Sequence, residues 1–203
     1  MDLDMECLQS LNTVSESHDC FLSQEPTEHA HFLSPMGVPL VSNALMGCKR
    51  GHPFFKHIIG DLYSHAGWYV WHDVLQATGP YMLTEEYRHF TKDGMFFASD
   101  SNAHELYLAE PDMFHPTTDP SMRDHMRNVC INSEGHTFLS QRYLDRQKEL
   151  CASILQDGFR EEPMSDSVTN HHWTHSWAGL RNDPYNIIGT NVYTDVRTLV
   201  GKQ

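Results

Sequence analysis

Basic residues are scarce in this chain. Only 14 Lys and Arg stand against 27 Asp and Glu, a formal net charge of −13 over 203 residues. A phosphate backbone needs a basic face, so this balance argues against a nucleic-acid partner. Long apolar runs are missing too: none approaches the ~18–20 residues that span a bilayer. There is no internal repeat and no low-complexity tract. Cysteine is sparse and odd in number, with Cys7, Cys20, Cys48, Cys130 and Cys151 showing no CxxC spacing. Neither a zinc ribbon nor a disulfide framework is therefore signalled. One pair could bridge in an oxidising compartment, leaving at least one thiol free.

What is present suits one globular domain. Hydrophobic residues make up 39% and aromatics 11%, and the length is enough to bury a real core. Histidine is abundant, at 15 residues. These are scattered except for the cluster in "HHWTH", which keeps a His-rich metal binder open.

"DLDMEC" and "CFLSQE" read as short strands joined by a polar turn around Asn12 to His18. Residues 40–49, "LVSNALMGCK", read as a buried strand bounded by Pro39 and by Arg50-Gly51. A helical period follows, in which Phe54, Phe55, Ile58, Ile59, Leu62 and Tyr63 form one broad apolar stripe behind Pro53. A second helix is expected from Pro80, with Met82, Leu83, Tyr87 and Phe90 along one side. "MFFAS" and "ELYLAE" look like strands, and a longer helix is expected from about His136 to Gln156. "NHHWTHSW" reads as a late strand. Strands interleaved with helices predict an α/β layer architecture.

In a strand, Asp2 and Asp4 would point the same way. Two carboxylates on one face ligate hard divalent cations, and Mn²⁺ also accepts an imidazole from elsewhere in the chain. The alternative is an acidic, solvent-facing strand end. Alternation puts His171 and Trp173 on one face and His172 with Thr174 on the other. The histidines are either ligands or satisfied structural residues. Trp173 and Trp177 are core or rim packing, or a platform for the apolar face of a sugar. Asn43, in a strand expected to be buried, needs polar partners or a polar ligand. Thr78, Gly79 and Pro80 mark a helix start, and the glycine would also admit a ligand close to the backbone.

Taken in order, these signals resemble a known family. "DLDMECL", "LSQEP", "SNALMGCKRGHPFF", "VLQATGPYMLTEEY", His115-Pro116 and "HHWTHSW" are similar to the DXD-containing family-32 glycosyltransferases. Within that family they look closest to the mannosyl-inositol-phosphoceramide synthase branch and its animal relatives. The resemblance spans residues 1–177 and leaves 178–203 as a tail. It implies a GT-A-type fold and a retaining transferase that uses Mn²⁺ (or Mg²⁺) and a GDP- or UDP-sugar donor. The sugar would be a hexose such as mannose, and the acceptor a glycolipid or glycan hydroxyl.

By the same resemblance, Asp2 and Asp4 are the DXD acids that hold metal and donor. His171 completes the metal site, with His172 as its rival. Asn43, Thr78, Gly79 and Pro80 line the donor and acceptor pocket, with Trp173 beside them. The family works in the Golgi lumen, tied to the membrane by an anchor outside these residues. Its nucleotide-binding units precede the DXD motif, whereas here Met1 stands directly before it. The expectation is a carboxy-terminal portion of the fold, with the strand bearing Asp2 lacking a neighbour and Asp2 in a frayed end. Two rivals remain at this point: a non-catalytic remnant that binds metal or a partner, and a metal-dependent phosphoesterase.

Overall fold

The computed structural model describes residues 1–33, 39–65, 74–92, 105–132 and 140–174. Its centre is a three-stranded sheet. The middle strand β2 (Cys20–Gln24) pairs antiparallel with β3 (Val41–Cys48) and parallel with β4 (Leu106–Leu108). A separate two-stranded ribbon joins β1 (Met5–Cys7) to β5 (Thr169–His171), also antiparallel. The architecture is mixed α/β with small sheets.

Strand alternation splits the core into two layers. On one face, Cys20, Leu22 and Val41 meet Phe54, Ile58, Met82 and Leu83. The helical residues come from α3 (Pro53–His65) and α5 (Pro80–Lys92), both opened by a proline. The short helix α4 (Val74–Ala77) leads into α5. On the other face, Phe21, Ala44 and Leu45 pack with Met5, Val14, Phe114 and Val168. Val14 belongs to α1 (Asn12–Ser15) and Phe114 to α6 (Pro111–Phe114). Met5 and Val168 bring the β1–β5 ribbon onto the sheet, so the ribbon is anchored rather than frayed.

A third, smaller cluster lies under α2 (Thr27–Leu33), α7 (Pro120–Ile131) and α8 (Gln141–Asp157). Cys130, Cys151 and Ile154 form it, with Phe32 and Phe159 at its edge. The Tyr143 hydroxyl donates to the His31 carbonyl at 3.2 Å, and the two rings stack with centroids 4.1 Å apart.

Two details position the site. Leu22 pairs with Met46 but Ser23 pairs with Ser42, so Asn43, Ala44 and Leu45 bulge out of β3. Next to the bulge, Gly47 sits opposite Phe21. A Cβ there would come within 2.4 Å of the Phe21 ring. Glycine lets the aromatic lie flat on the strand.

Several expectations are corrected. The turn around Asn12 to His18 contains α1, a single helical turn whose Val14 is buried. Asn43 is exposed, because the bulge turns it out of the strand pattern. The stripe on α3 is narrower than its sequence suggests, since Ile59 and Tyr63 face outward. The long helix starts at Gln141, where the Ser140 side chain caps it by accepting from the Tyr143 N–H. "MFFAS", Phe138, Leu139, Trp177 and residues 178–203 lie outside the described residues. Four cysteines pair: Cys20 with Cys48 across β2 and β3, and Cys130 with Cys151 between α7 and α8. Cys7 is left free and exposed. Among the described residues, no helix is long and apolar enough to cross a membrane.

Candidate metal centre

Asp2 and Asp4 are not in a strand. They flank an exposed turn just ahead of β1, closed by the Met5 N–H donating to the Asp2 carbonyl at 3.4 Å. The Asp2 N–H donates to the Ala44 carbonyl, in the β3 bulge, at 2.7 Å. The β1–β5 ladder puts Met5 opposite His171, and the His172 N–H extends it to the Asp4 carbonyl at 3.0 Å. Two chain segments 167 residues apart are thereby set side by side. The expectation that the acidic segment lacks a neighbour is overturned by this pairing.

The ladder decides which histidine meets the acids. His171 faces inward, with its Nε2 3.2 Å from Asp4 Oδ1. His172 points the other way and pairs with exposed Glu6 at 3.0 Å. One donor atom each from Asp2, Asp4 and His171 lies within 4.8 Å of the other two. Thr174 joins the group: its N–H and its hydroxyl both donate to Asp4 Oδ2, at 2.9 and 3.0 Å. It reaches there because Trp173 has a positive φ of 52°, rare for a residue with a side chain. Trp173 is beyond β5, which ends two residues before it at His171.

The two carboxyls differ in their electrostatics. Partial burial pushes the Asp2 carboxyl up, and the Asp4 charge adds to the rise, against the pull of His171. Burial works against ionisation of Asp4 too, yet the two Thr174 hydrogen bonds and His171 together hold its carboxyl below the ordinary value. Two carboxylates and one imidazole match the donors that Mn²⁺ accepts. A second group of possible ligands, Cys20, Cys48 and His52, is also close-set. There the two sulfurs are joined as a disulfide, which removes the thiolates a metal would need.

Behind His171 lies a polar pocket that sequence reasoning did not single out. Glu25, His29 and His115 are all buried. The Asp119 N–H donates to His29 Nε2 at 3.1 Å, so the ring proton sits on Nδ1 and faces Glu25 Oε2 at 3.5 Å. Burial alone would raise the Glu25 carboxyl. The His29 hydrogen bond, the pull of the His115 and His29 imidazoles and the Ser42 hydroxyl outweigh it and bring the pKa down to about 2. Burial lowers His115 to about 4, against the pull of Glu25. Trp173 closes this pocket. Its ring centroid lies 4.0 Å from that of His171, 4.9 Å from His29 and 5.8 Å from His115, and its Nε1 donates to the Thr117 carbonyl. Its side chain is half-buried among the three imidazoles.

The remaining expected residues flank the acids less directly. Asn43 is exposed next to Ala44, the residue that anchors Asp2. Thr78 is exposed and Gly79 buried at the entry to α5. One turn on, Thr84 accepts from the Val41 N–H at 2.8 Å and donates to the Pro80 carbonyl at 2.7 Å. The Thr78–Pro80 turn is thus tied to the start of β3, two residues before Asn43. No family model, no curated protein and no solved structure matches the chain.

Proposed function

We propose that the centre holds a divalent cation and serves glycosyl transfer from a nucleotide-sugar donor, with Mn²⁺ or Mg²⁺ as the metal. The observation that carries this is the convergence of Asp2, Asp4 and His171 from opposite ends of the chain. A bound cation supplies Lewis-acid neutralisation of the charge that grows on a departing diphosphate. Asp2 and Asp4 hold it through oxygen, and His171 through Nε2. Thr174 keeps Asp4 ionised and fixes its carboxylate plane. Asn43, beside the Asp2 anchor, and the Thr78–Pro80 turn, tied through Thr84 to the start of β3, would line the donor-sugar and acceptor side. The resemblance of "DLDMECL", "NALMGCKRGHPFF", "TGPYMLT" and "HHWTHSW" to family-32 glycosyltransferases supports the reaction class. It also supports a retaining outcome, a hexose such as mannose, a lipid or glycan acceptor and a Golgi setting.

The test is release of UDP or GDP from nucleotide-hexoses by the purified chain, with and without Mn²⁺ and an acceptor. Acceptor-dependent release that is lost in Asp4→Ala supports transfer. Release of phosphate from simple phosphoesters, equally sensitive to Asp4→Ala, would assign the centre to a phosphoesterase instead. Tight Mn²⁺ binding with no turnover of either kind would make the domain a metal-binding remnant.

A further inference from the structure

We infer that His115, seated on Ser23, is the positioning residue for His171: through a bridging water it accepts the His171 Nδ1 proton and so keeps Nε2 turned towards Asp2 and Asp4. The inference rests on the metal reading above and adds to it the residues that orient the imidazole ligand.

A neutral imidazole carries one N–H and one lone pair, and the partner of one nitrogen dictates the role of the other. Ser23 Oγ donates to the Leu45 carbonyl at 2.8 Å, so its oxygen is left to accept. His115 Nε2 lies 3.1 Å from that oxygen and must be the donor. The lone pair of His115 is therefore on Nδ1. That atom is buried and has no protein partner among the described residues.

His171 takes on the complementary pattern once Nε2 holds a cation in place of its contact with the Asp4 carboxylate. Its Nε2 faces Asp4, and its Nδ1 is likewise buried without a protein partner among the described residues. A metal on Nε2 requires the ring proton to be on Nδ1, where it needs an acceptor. The two rings are neighbours, with centroids 5.3 Å apart and planes at 58°. With a cation on Nε2, a single water can bridge the buried His171 Nδ1 donor to the buried His115 Nδ1 acceptor. Trp173, packed on both rings, restricts their rotation.

The chain of bonds ends where the acids begin. Leu45, which accepts from Ser23, is in the β3 bulge, and so is Ala44, which accepts from the Asp2 N–H. One irregularity in β3 thus sets the backbone of Asp2 and, through Ser23 and His115, the ring of His171. A regular strand would hold neither in this relation.

The experiment measures Mn²⁺ affinity of the full chain by electron paramagnetic resonance, and His171 protonation by ¹⁵N NMR of the Mg²⁺-loaded protein. His115→Phe keeps the ring packing and removes the acceptor. It should weaken Mn²⁺ binding roughly 10–100-fold and lose the Nδ1-protonated signature of His171. His115→Asn, whose amide oxygen accepts, should recover most of the affinity. Ser23→Ala frees the His115 tautomer and should show a smaller loss, and it serves alone should His115→Phe not fold. Wild-type affinity and an unchanged His171 signature in Ser23→Ala and the folded His115 variants would overturn the inference while leaving the metal centre standing. Failure of the wild type to bind Mn²⁺ would overturn both.

Discussion

Acidification from pH 7 to pH 5 probes the buried His115 imidazole directly. The residue is 1% exposed, and burial lowers its pKa from 6.5 to about 4. In the unfolded chain it titrates near its ordinary value. Between the two values the unfolded state binds a proton that the folded state refuses, so stability falls as pH falls through that window. At pH 7 neither state is much protonated at this site. At pH 5 the unfolded chain is almost fully protonated and the folded one is largely neutral, a loss of about 2 kcal/mol. Glu25 acts lower on the scale. With its pKa depressed from 4.5 to about 2, its stabilisation is present above the ordinary value and is lost as pH falls towards 2. Urea unfolding at both pH values, for wild type and His115→Phe, reads the imidazole by difference. The variant should lose about 2 kcal/mol less on acidification, a difference of about 1 M in the midpoint. His115→Asn should behave likewise. An equal acid-induced drop in wild type and both variants would refute the reasoning.

Other outcomes follow from the packing and the site. Cys130→Ala opens a bridge across 21 residues and should cost about 3 kcal/mol in thermal or urea unfolding. Under non-reducing conditions a thiol reagent should label one cysteine per folded chain, Cys7, as read by peptide mass spectrometry. Gly47→Ala forces a methyl into the Phe21 ring and should destabilise by roughly 1–3 kcal/mol, whereas Gly60→Ala, with open space around it, should not. Thr174→Ala removes the hydroxyl donor to Asp4 but keeps the N–H. The Asp4 carboxyl should then titrate higher in ¹³C NMR, and Mn²⁺ binding should weaken several-fold, less than in Asp4→Ala.

Much of the framework could be read along the chain. Pro53 and Pro80 announce helices whose first turns they occupy, and the apolar runs behind β2 and β3 are strands. The helices that went unread explain themselves. Only Met126 and Cys130 of α7 are buried, too thin a stripe to register, although Asp119 caps the helix by accepting from the Ser121 N–H ahead of it. In α2 the buried positions include His29 and His31, so its inner face looks polar in sequence. Disulfide partners are not local information, and nothing in the spacing pairs Cys20 with Cys48. At the site, Asp2, Asp4 and His171 were legible as a motif order. The cause of their meeting was not, since it is a cross-chain ladder and not alternation within one strand. Thr174 depends on a positive φ at Trp173, and the roles of Glu25 and His115 depend on burial. Glu25 lies in "SQEP" and His115 in "HP", segments that carry a motif but no sign of burial.

The β1–β5 ribbon also has a bearing on the order of folding. Closing a loop of 167 residues costs about 4.5 kcal/mol of chain entropy, against about 3 kcal/mol for the 28 residues between Cys20 and Cys48. A ladder of three residue pairs has little of its own to offset the larger cost. It should close late, once the sheet and the helices have already drawn the ends together, and open early. Backbone amides of Met5–Cys7 and Thr169–His171 should exchange with solvent faster than those of β2 and β3. Since that ladder is what brings His171 to Asp4, each opening would dissolve the ligand set and each cation captured would hold it shut. If the centre takes a cation as proposed, occupancy would act as a latch on this late-forming contact, raising the barrier to unfolding more than it alters the rest of the fold.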